Sequence, residues 1–316
     1  MLDRIVQEIA THDSFLLTSH ESPDGDAVGS TLALASHLRG LGKDVTVYFC
    51  DPVPDHYAFL PGADRVVHAL PDRRFDICFV LDVGEFRRAG NELAAFTGVG
   101  AYINLDHHVT CEEFGVINLI DPKAAATGVL VHRIIKAAGE VISCDTACCL
   151  YTSVITDTGS FRYSNANQEA FAIAGEMVSL GVNPWFIAQR LYENQPRQRL
   201  QLLALALETL TVSGSGLFAS VTVTLDMYEK TGSNAEFTDG FVNYPRSIHG
   251  VEVAVFFRQI DSERIKVGFR SKGTVDVSAI AFAFGGGGHR NAAGCTVAGP
   301  LEEVRRRVFD HLEQVL

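Results

Sequence analysis

The sequence lacks the apolar run of about 18 residues that a membrane-spanning helix requires. Its first fourteen residues, which include Asp3 and Glu8, have no apolar core, and this argues against a signal or transit peptide. No C-x-x-C pair occurs among its seven cysteines. Single cysteines on apolar segments are typical of reduced core residues. We therefore expect a cytoplasmic protein that does not associate with a membrane.

Positive charge is also scarce. The 316 residues include 26 Lys and Arg against 38 Asp and Glu, which gives a formal net charge of −12. Such a surface repels long polyanions and argues against binding of long duplex nucleic acid. A small anionic ligand could still bind in a local cationic pocket. The 47% of hydrophobic residues and 20% of charged residues are typical of a folded globular protein.

Short apolar segments alternate with segments of helical periodicity through the first half of the chain. The predicted strands and helices cover 15–18, 27–41, 45–49, 77–81, 101–105, 127–138 and 146–155, in that order. The segment 77–81 is apolar on both faces, as a buried parallel strand would be. This alternation predicts an α/β fold with a doubly wound, mostly parallel sheet.

The length of the chain suggests two domains at roughly 150 residues each. Asn183-Pro184 is typical of a helix start, and helical periodicity continues from there to about Thr211, before a turn at 213–216. We therefore predict a first domain over 1–190, a helical linker over 191–212 and a smaller α/β domain over 213–316.

Acidic and histidine side chains follow three of the predicted strands at the point where each strand ends. They are His20, Asp24 and Asp26, then Asp82, then Asp106, His107 and His108. Open α/β sheets bind ligands at this edge. Asp157 ends an apolar predicted helix, where a carboxylate needs a cationic partner. Each residue alone could be a turn or cap residue, but three strand ends would rarely converge in this way by chance.

A divalent metal centre accounts for these side chains. The candidate ligands are His20, Asp24, Asp26, Asp82, His107 and Asp157. So many carboxylates cannot be buried unpaired, and hard oxygen donors with a minority of imidazole favour Mn²⁺ or Mg²⁺ over a thiolate zinc site. The set suffices for two ions if one carboxylate bridges them, an arrangement common in phosphoryl transfer.

The same residues form motifs that resemble those of the DHH phosphoesterases. These motifs are H-x-x-P-D-G-D-A-x-G-S at 20–30, Asp82, Asp106-His107-His108, and T-D-T-G at 156–159. The second part of the chain resembles the DHHA1 domain of that family through R-S-K-G at 270–273 and GGGGHRNAAG at 285–294. Arg290 departs from the expected Lys or Pro. The resemblance covers nearly the whole chain.

The resemblance implies a role for each candidate residue. His20, Asp24 and Asp82 would hold one metal ion. Asp26, Asp82, His107 and Asp157 would hold the other, so that Asp82 bridges the two. Asp106 would orient an imidazole, and His108 would face the substrate and donate a hydrogen bond or a proton to its phosphate. Mn²⁺ is the expected ion, with Mg²⁺ and Co²⁺ as alternatives.

The DHHA1-like domain is predicted to hold the nucleotide. Its candidate residues are Arg270, Ser271, Gly286, Gly287, Gly288 and His289. Consecutive glycines let a backbone approach a ligand and turn N–H groups toward an anion. A glycine run can also be a flexible linker, but apolar residues on both sides of this run indicate packing. Arg162 and Arg246 are weaker candidates for substrate binding.

In its length and in the order of its motifs, the chain resembles the stand-alone bacterial branch of the family. The function implied is release of 5′-nucleoside monophosphates from short oligoribonucleotides, as a 3′–5′ exonuclease, and removal of the 3′-phosphate from 3′-phosphoadenosine 5′-phosphate to give AMP. The alternatives within the family are a phosphodiesterase for cyclic di-AMP or pApA, a manganese pyrophosphatase and a RecJ-like nuclease. A nucleotide sensor without activity would usually lose a metal ligand. A homodimer is left open.

Overall fold

The computed structural model describes residues 1–316 apart from the side chain of His289. The chain forms two compact units, Met1–Asn194 (unit 1) and Gln195–Leu316 (unit 2). The division between them falls inside the predicted linker 191–212. Each unit has a sheet and a hydrophobic core of its own.

Unit 1 is built on a six-stranded sheet in which all paired strands are parallel. Its strands are β1 (Ser14–Thr18), β2 (Asp44–Tyr48), β3 (Val66–Val67), β4 (Phe75–Leu81), β5 (Val99–Asp106) and β6 (Ile117–Ile120). The residues of β1 and β4 are almost all buried, because helices cover both faces. The predicted doubly wound α/β fold is confirmed.

Seven helices accompany this sheet. They are α1 (Leu2–Thr11), α2 (Gly25–Gly40), α3 (Asn91–Ala95), α4 (Thr127–Ala137), α5 (Cys144–Asp157), α6 (Gln168–Ser179) and α7 (Pro184–Tyr192). Short 3₁₀ turns lie at Asp55–Tyr57, Ala63–Arg65 and Phe86–Ala89. Side-chain caps start several helices: Asp24 caps α2, Ser143 caps α5 and Asn167 caps α6.

The strand order of unit 1 places one crevice at a defined point. The order is β3-β2-β1-β4-β5-β6, so the chain winds outward from β1 on one side and continues from β4 on the other. The crevice between the carboxyl ends of β1 and β4 is the switch point at which open α/β sheets bind ligands. His20 and Asp82 follow these two strands directly.

Helix α2 is buried along most of its length and packs closely against α5. Close approach is possible because residue 29 is glycine: a Cβ there would lie 2.7 Å from the carbonyl oxygen of Cys149 and 2.9 Å from the backbone nitrogen of Ser153. This contact fixes α5, and therefore Asp157 at its end, against the helix whose first turn contains Asp26.

Unit 2 has a mixed six-stranded sheet in the order β11-β12-β10-β9-β8-β7. Its strands are β7 (Thr211–Val212), β8 (Phe218–Val223), β9 (Val253–Gln259), β10 (Arg264–Ser271), β11 (Gly287–His289) and β12 (Ala292–Ala298). Only the pair β8–β9 is parallel among the described pairings. Its helices are α8 (Arg197–Glu208), α9 (Leu225–Thr231), α10 (Asn243–Arg246), α11 (Val277–Ala283) and α12 (Leu301–Val315), with a 3₁₀ turn at Ala235–Thr238.

The segment predicted as one long connecting helix is broken. Helix α7 ends at Tyr192 and α8 begins at Arg197, after Pro196. Proline disfavours a helical conformation in the residue before it, so the chain turns at this point. Leu202 and Ala206 of α8 then pack in a cluster with Phe241. Most of the predicted linker is therefore part of unit 2.

The α-helices in the described part of the chain are all of 16 residues or fewer. None of these helices alone is long and apolar enough to cross a bilayer. The pair α6 and α7, which is bent by 112°, meets the length and composition criterion when its two helices are taken together.

The close contact of α2 with α5 predicts opposite effects for two glycine-to-alanine changes. Gly29→Ala should lower the free energy of unfolding by about 1–3 kcal/mol, since its Cβ would meet the backbone of α5. Gly175→Ala, in α6, should raise it by about 0.5–1 kcal/mol, because no atom lies within 4 Å of its added Cβ. Denaturant titration of both variants checks this, and equal effects would contradict the packing described here.

Candidate metal centre

The candidate metal ligands predicted from the sequence converge at the carboxyl edge of the sheet in unit 1. They are His20, Asp24, Asp26, Asp82, His107 and Asp157. They form overlapping groups, and within each group the ligand atoms lie within 4.8 Å of one another. The groups surround the switch point between β1 and β4.

The first group consists of His20, Asp24 and Asp82. The Nε2 atom of His20 lies 3.9 Å from Oδ1 of Asp24 and 3.9 Å from Oδ2 of Asp82. Nδ1 of His20 lies 2.8 Å from the carbonyl oxygen of Glu21. A carbonyl can only accept, so this contact assigns the proton to Nδ1 and leaves the Nε2 lone pair free to bind a metal.

The second group consists of Asp26, His107 and Asp157. Nε2 of His107 lies 3.7 Å from a carboxylate oxygen of Asp26 and 3.7 Å from one of Asp157. Nδ1 of His107 lies 3.2 Å from the carbonyl oxygen of Ala124. This contact again assigns the proton to Nδ1 and turns the Nε2 lone pair toward the carboxylates.

Asp82 lies between the two groups. Its Oδ2 faces His20, and its Oδ1 lies 3.5 Å from Nε2 of His107. The hydroxyl of Thr127 donates a hydrogen bond to Oδ1 at 3.0 Å. The backbone of Asp82 has a φ of +60°, which is uncommon for a residue other than glycine and is often found at functional sites. One carboxylate thus presents an oxygen to each group.

Asp26 is held by groups that sequence reasoning did not identify. The backbone N–H of Thr127 donates to Oδ2 at 2.6 Å, and the backbone N–H of Gly128 donates to Oδ1 at 3.1 Å. Both belong to the first turn of α4, whose positive end favours an anion. The hydroxyl of Ser153, from α5, also donates to Oδ1.

Asp157 is held by Asn165, which the sequence analysis also missed. The side-chain Nδ2 of Asn165 lies 3.2 Å from Oδ2 of Asp157, 3.1 Å from its carbonyl oxygen and 2.9 Å from the carbonyl oxygen of Ala125. The amide thus joins the end of α5 to the segment that contacts His107.

The electrostatics of the cluster favour a cation. Burial raises the pKa of Asp82 well above its ordinary value, and the carboxylates of Asp26 and Asp24 raise it further. Burial lowers the basicity of His107, but Asp157 and Asp26 outweigh it, so that the pKa of His107 is raised. Negative charge is therefore in excess among buried groups. Carboxylate oxygens with two oriented imidazoles fit hard divalent ions.

Asp106 and His108 form a separate pair beside this cluster. Asp106 is fully buried and accepts hydrogen bonds from the backbone nitrogen of Gly84 at 2.7 Å and of His108 at 2.8 Å. Nδ1 of His108 lies 2.7 Å from the same carboxylate. Burial alone would raise the pKa of Asp106, but these hydrogen bonds bring it below its ordinary value.

The pair has the geometry that an orienting role for Asp106 requires. A charged Asp106 accepts the Nδ1 proton of His108, and this contact fixes the orientation of the ring. Nδ1 of His108 also lies 3.5 Å from Oδ1 of Asp82. Ligand atoms of Asp82, His107 and His108 lie within 4.8 Å of one another, so these residues form a third group that could hold a metal. The strong contact with Asp106 favours the orienting arrangement over ligation through Nδ1.

Comparison with known proteins identifies the family. Residues 14–154 match the model of the DHH family, N-terminal domain, and residues 217–316 match the DHHA1 domain. The chain is 34% identical to the bifunctional oligoribonuclease and PAP phosphatase NrnA of Thermus thermophilus, over 99% of this chain and 94% of that protein. This chain belongs to the DHH family.

Two further comparisons agree. The bifunctional oligoribonuclease and PAP phosphatase NrnA of Bacillus subtilis is 25% identical over 94% of this chain and 93% of its own length. The crystal structure of an exopolyphosphatase-related protein from Bacteroides fragilis matches with a TM-score of 0.89 and 32% identity, and the match covers 98% of this chain and 94% of that one. The predicted resemblance is confirmed.

The glycine run of the DHHA1 domain lies at the edge of its sheet. A Cβ on Gly286 would lie 2.2 Å from the carbonyl oxygen of Gly294, and one on Gly288 would lie 2.6 Å from that of Ala292. These two glycines are therefore required for packing against β12. No atom lies within 4 Å of a Cβ added to Gly287.

The remaining candidates fall in both domains. Arg270 and Ser271 end β10, and the hydroxyl of Ser271 lies 3.1 Å from Oδ1 of Asn291, beyond the glycine run. The side chain of His289 lies outside the described residues. Arg162 lies in the loop after Asp157 and donates to the carbonyl oxygen of Gly159 at 2.7 Å. Arg246 ends α10, which packs on β8 and β9.

The position of Asp82 predicts a joint loss of metal. Asp82→Ala removes the carboxylate that presents an oxygen to both groups, so binding should weaken at both positions together. Metal analysis after gel filtration in metal-free buffer measures this, with the exposed Asp72→Ala as control. Two tightly held ions per chain in Asp82→Ala would contradict the central position assigned to this residue.

Proposed function

We propose that this chain is a cytoplasmic, manganese-dependent phosphoesterase with two metal ions. It hydrolyses short oligoribonucleotides to 5′-nucleoside monophosphates and converts 3′-phosphoadenosine 5′-phosphate to AMP. The observation that carries the proposal is the carboxylate and imidazole cluster at the switch point of the DHH domain, in which His20, Asp26, Asp82 and His107 are buried. The names of the relatives from Thermus thermophilus and Bacillus subtilis support the choice of substrates.

The two groups divide the metal ligands between them. His20 and Asp24 would hold one ion, Asp26, His107 and Asp157 would hold the other, and Asp82 would contact both. When bound, such ions supply positive charge to the phosphate and lower the pKa of a water molecule. The oriented Nε2 atoms of both histidines and the supported carboxylate of Asp26 are the features that fit them.

His108 is proposed to act on the substrate itself. Asp106 holds the imidazole through Nδ1, and in this proposal Nε2 donates a hydrogen bond or a proton to a phosphate oxygen when substrate binds. An imidazole that is protonated at both nitrogens can donate through each of them. The backbone hydrogen bonds to Asp106 keep that carboxylate charged and fixed, so the imidazole does not need to reorganise during the reaction.

The DHHA1 domain is proposed to bind the nucleotide. Arg270 can pair with a phosphate, and the open space around Gly287 allows a ligand to approach the backbone. Ser271 adds a hydroxyl, and His289 adds a cationic group by analogy with the family motif. A net charge of −12 favours a short substrate held by such local contacts over a long polymer held by a basic surface.

Side-by-side hydrolysis tests this function. With Mn²⁺ present, we expect 3′-phosphoadenosine 5′-phosphate to yield AMP and phosphate, and RNA trimers to yield 5′-monophosphates. Cyclic di-AMP and pApA serve as the comparison, and turnover of these alone would assign the chain to the alternative phosphodiesterase. His108→Asn is the matched variant: it should keep its metal content and slow turnover by about 10²–10⁴-fold. No turnover of any substrate by wild-type protein would refute the proposed function.

A further inference from the structure

Arg88 lies at the switch point but was not among the residues singled out from the sequence. It belongs to the 3₁₀ turn Phe86–Ala89, which follows β4 and Asp82. Its carbonyl oxygen accepts a hydrogen bond from the backbone nitrogen of Glu21 at 2.6 Å. This bond joins the loop after β4 to the loop after β1, so Arg88 is fixed at the crevice between the two strands.

The guanidinium of Arg88 lies close to the imidazole of His108 at one edge of the site. A Cβ on Gly84 would lie 3.9 Å from Nη1 of Arg88 and 3.7 Å from Cγ of His108. The two side chains therefore border the same small space, next to a residue that has no side chain.

The guanidinium of Arg88 has more N–H donors than the described protein groups accept from. Nη1 donates to the carbonyl oxygen of Val83 at 3.1 Å, which fixes the half-buried side chain. Within the described residues no carboxylate forms an ion pair with Arg88, whereas the neighbouring Arg87 pairs with Glu85 at 2.6 Å. A guanidinium has several N–H groups in a planar fork that matches two oxygens of a phosphate. Arg88 is therefore an oriented cation with unused donors beside a site for an anion.

We propose that Arg88 binds the scissile phosphate of the substrate, on the side of the site where His108 lies. The proposal rests on the phosphoesterase function proposed above. The cluster itself offers carboxylates and imidazoles, so an added guanidinium would stabilise the negative charge on the phosphate oxygens as it develops in the transition state. A second phosphate elsewhere on the substrate would not lie beside the imidazole that we place at the reacting group.

The test compares Arg88→Gln and Arg88→Lys with Arg87→Gln, an exposed neighbouring arginine, as control. The substrates are 3′-phosphoadenosine 5′-phosphate and bis-p-nitrophenyl phosphate, which contains a single phosphate. Arg88→Gln should lower kcat/KM by about 10²-fold or more on both, because both present a scissile phosphate. Arg88→Lys should recover part of the loss, since it keeps the charge and loses the fork. Arg87→Gln should stay within about twofold of wild type.

Two further measurements distinguish failure of this proposal from misfolding of a variant and from failure of the proposed function. Calorimetry with inorganic phosphate and Mn²⁺ reports anion binding without turnover, and thermal unfolding reports the fold. Weaker phosphate binding by a folded Arg88→Gln or Arg88→Lys supports the proposal, even if no nucleotide is hydrolysed by wild-type protein. Phosphate binding equal to that of Arg87→Gln would overturn it. A loss confined to the bisphosphate, with the reporter unaffected, would also overturn it, because Arg88 would then hold a phosphate other than the scissile one.

Discussion

Burial of like charges at one point of the sheet is the constraint on which the DHH domain depends. Asp26, Asp82 and Asp106 are 1%, 2% and 0% exposed, and they lie around the ends of β1, β4 and β5. Buried carboxylates in such number cost several kcal/mol each unless hydrogen bonds and cations offset the charge. The first turn of α4, the hydroxyl of Ser153 and the donors to Asp106 offset part of it. Divalent ions would offset the rest.

The same constraint explains the packing around the site. Ser153 can reach Asp26 only because Gly29 allows α5 to approach α2. Asn165 then fixes Asp157 at the end of α5. Hydrogen-bonded support of this kind orients ligands and raises their affinity for a metal. The positions of the candidate metal-ligating atoms are therefore set by contacts that themselves belong to the core of the domain.

Much of this site could be predicted because parallel strands end at one edge. Residues that follow separate strands, such as His20 and Asp82, must meet there, whatever the loops between them do. Thr127, Ser153 and Asn165 could not be predicted, since hydroxyl and amide side chains are common in helices and turns and have no periodic signal. The break before α8 was visible as Pro196 and was missed because the apolar periodicity on both sides was continuous. Strands β6, β8 and β12 were also missed, because short apolar segments of this kind do not distinguish strand from loop.

The glycine run shows where sequence and structure give different reasons for the same residue. Close ligand approach was predicted for the whole run, yet Gly286 and Gly288 are already required by their contacts with β12. Gly285 and Gly287 are the positions of the run where no atom lies within 4 Å of an added Cβ. We thus propose that cation-binding groups lie in the DHH domain and that most anion-binding groups lie in the DHHA1 domain. Arg88 is the exception, because it is a cation of the DHH domain beside the candidate metal centre.

Anomalous diffraction from crystals grown with Mn²⁺ tests the central claim most directly. The account predicts two anomalous peaks in the DHH domain, one on each side of the Asp82 carboxylate, with Nε2 of His20 beside one and Nε2 of His107 beside the other. A single peak, or peaks that do not contact Asp82, would contradict it.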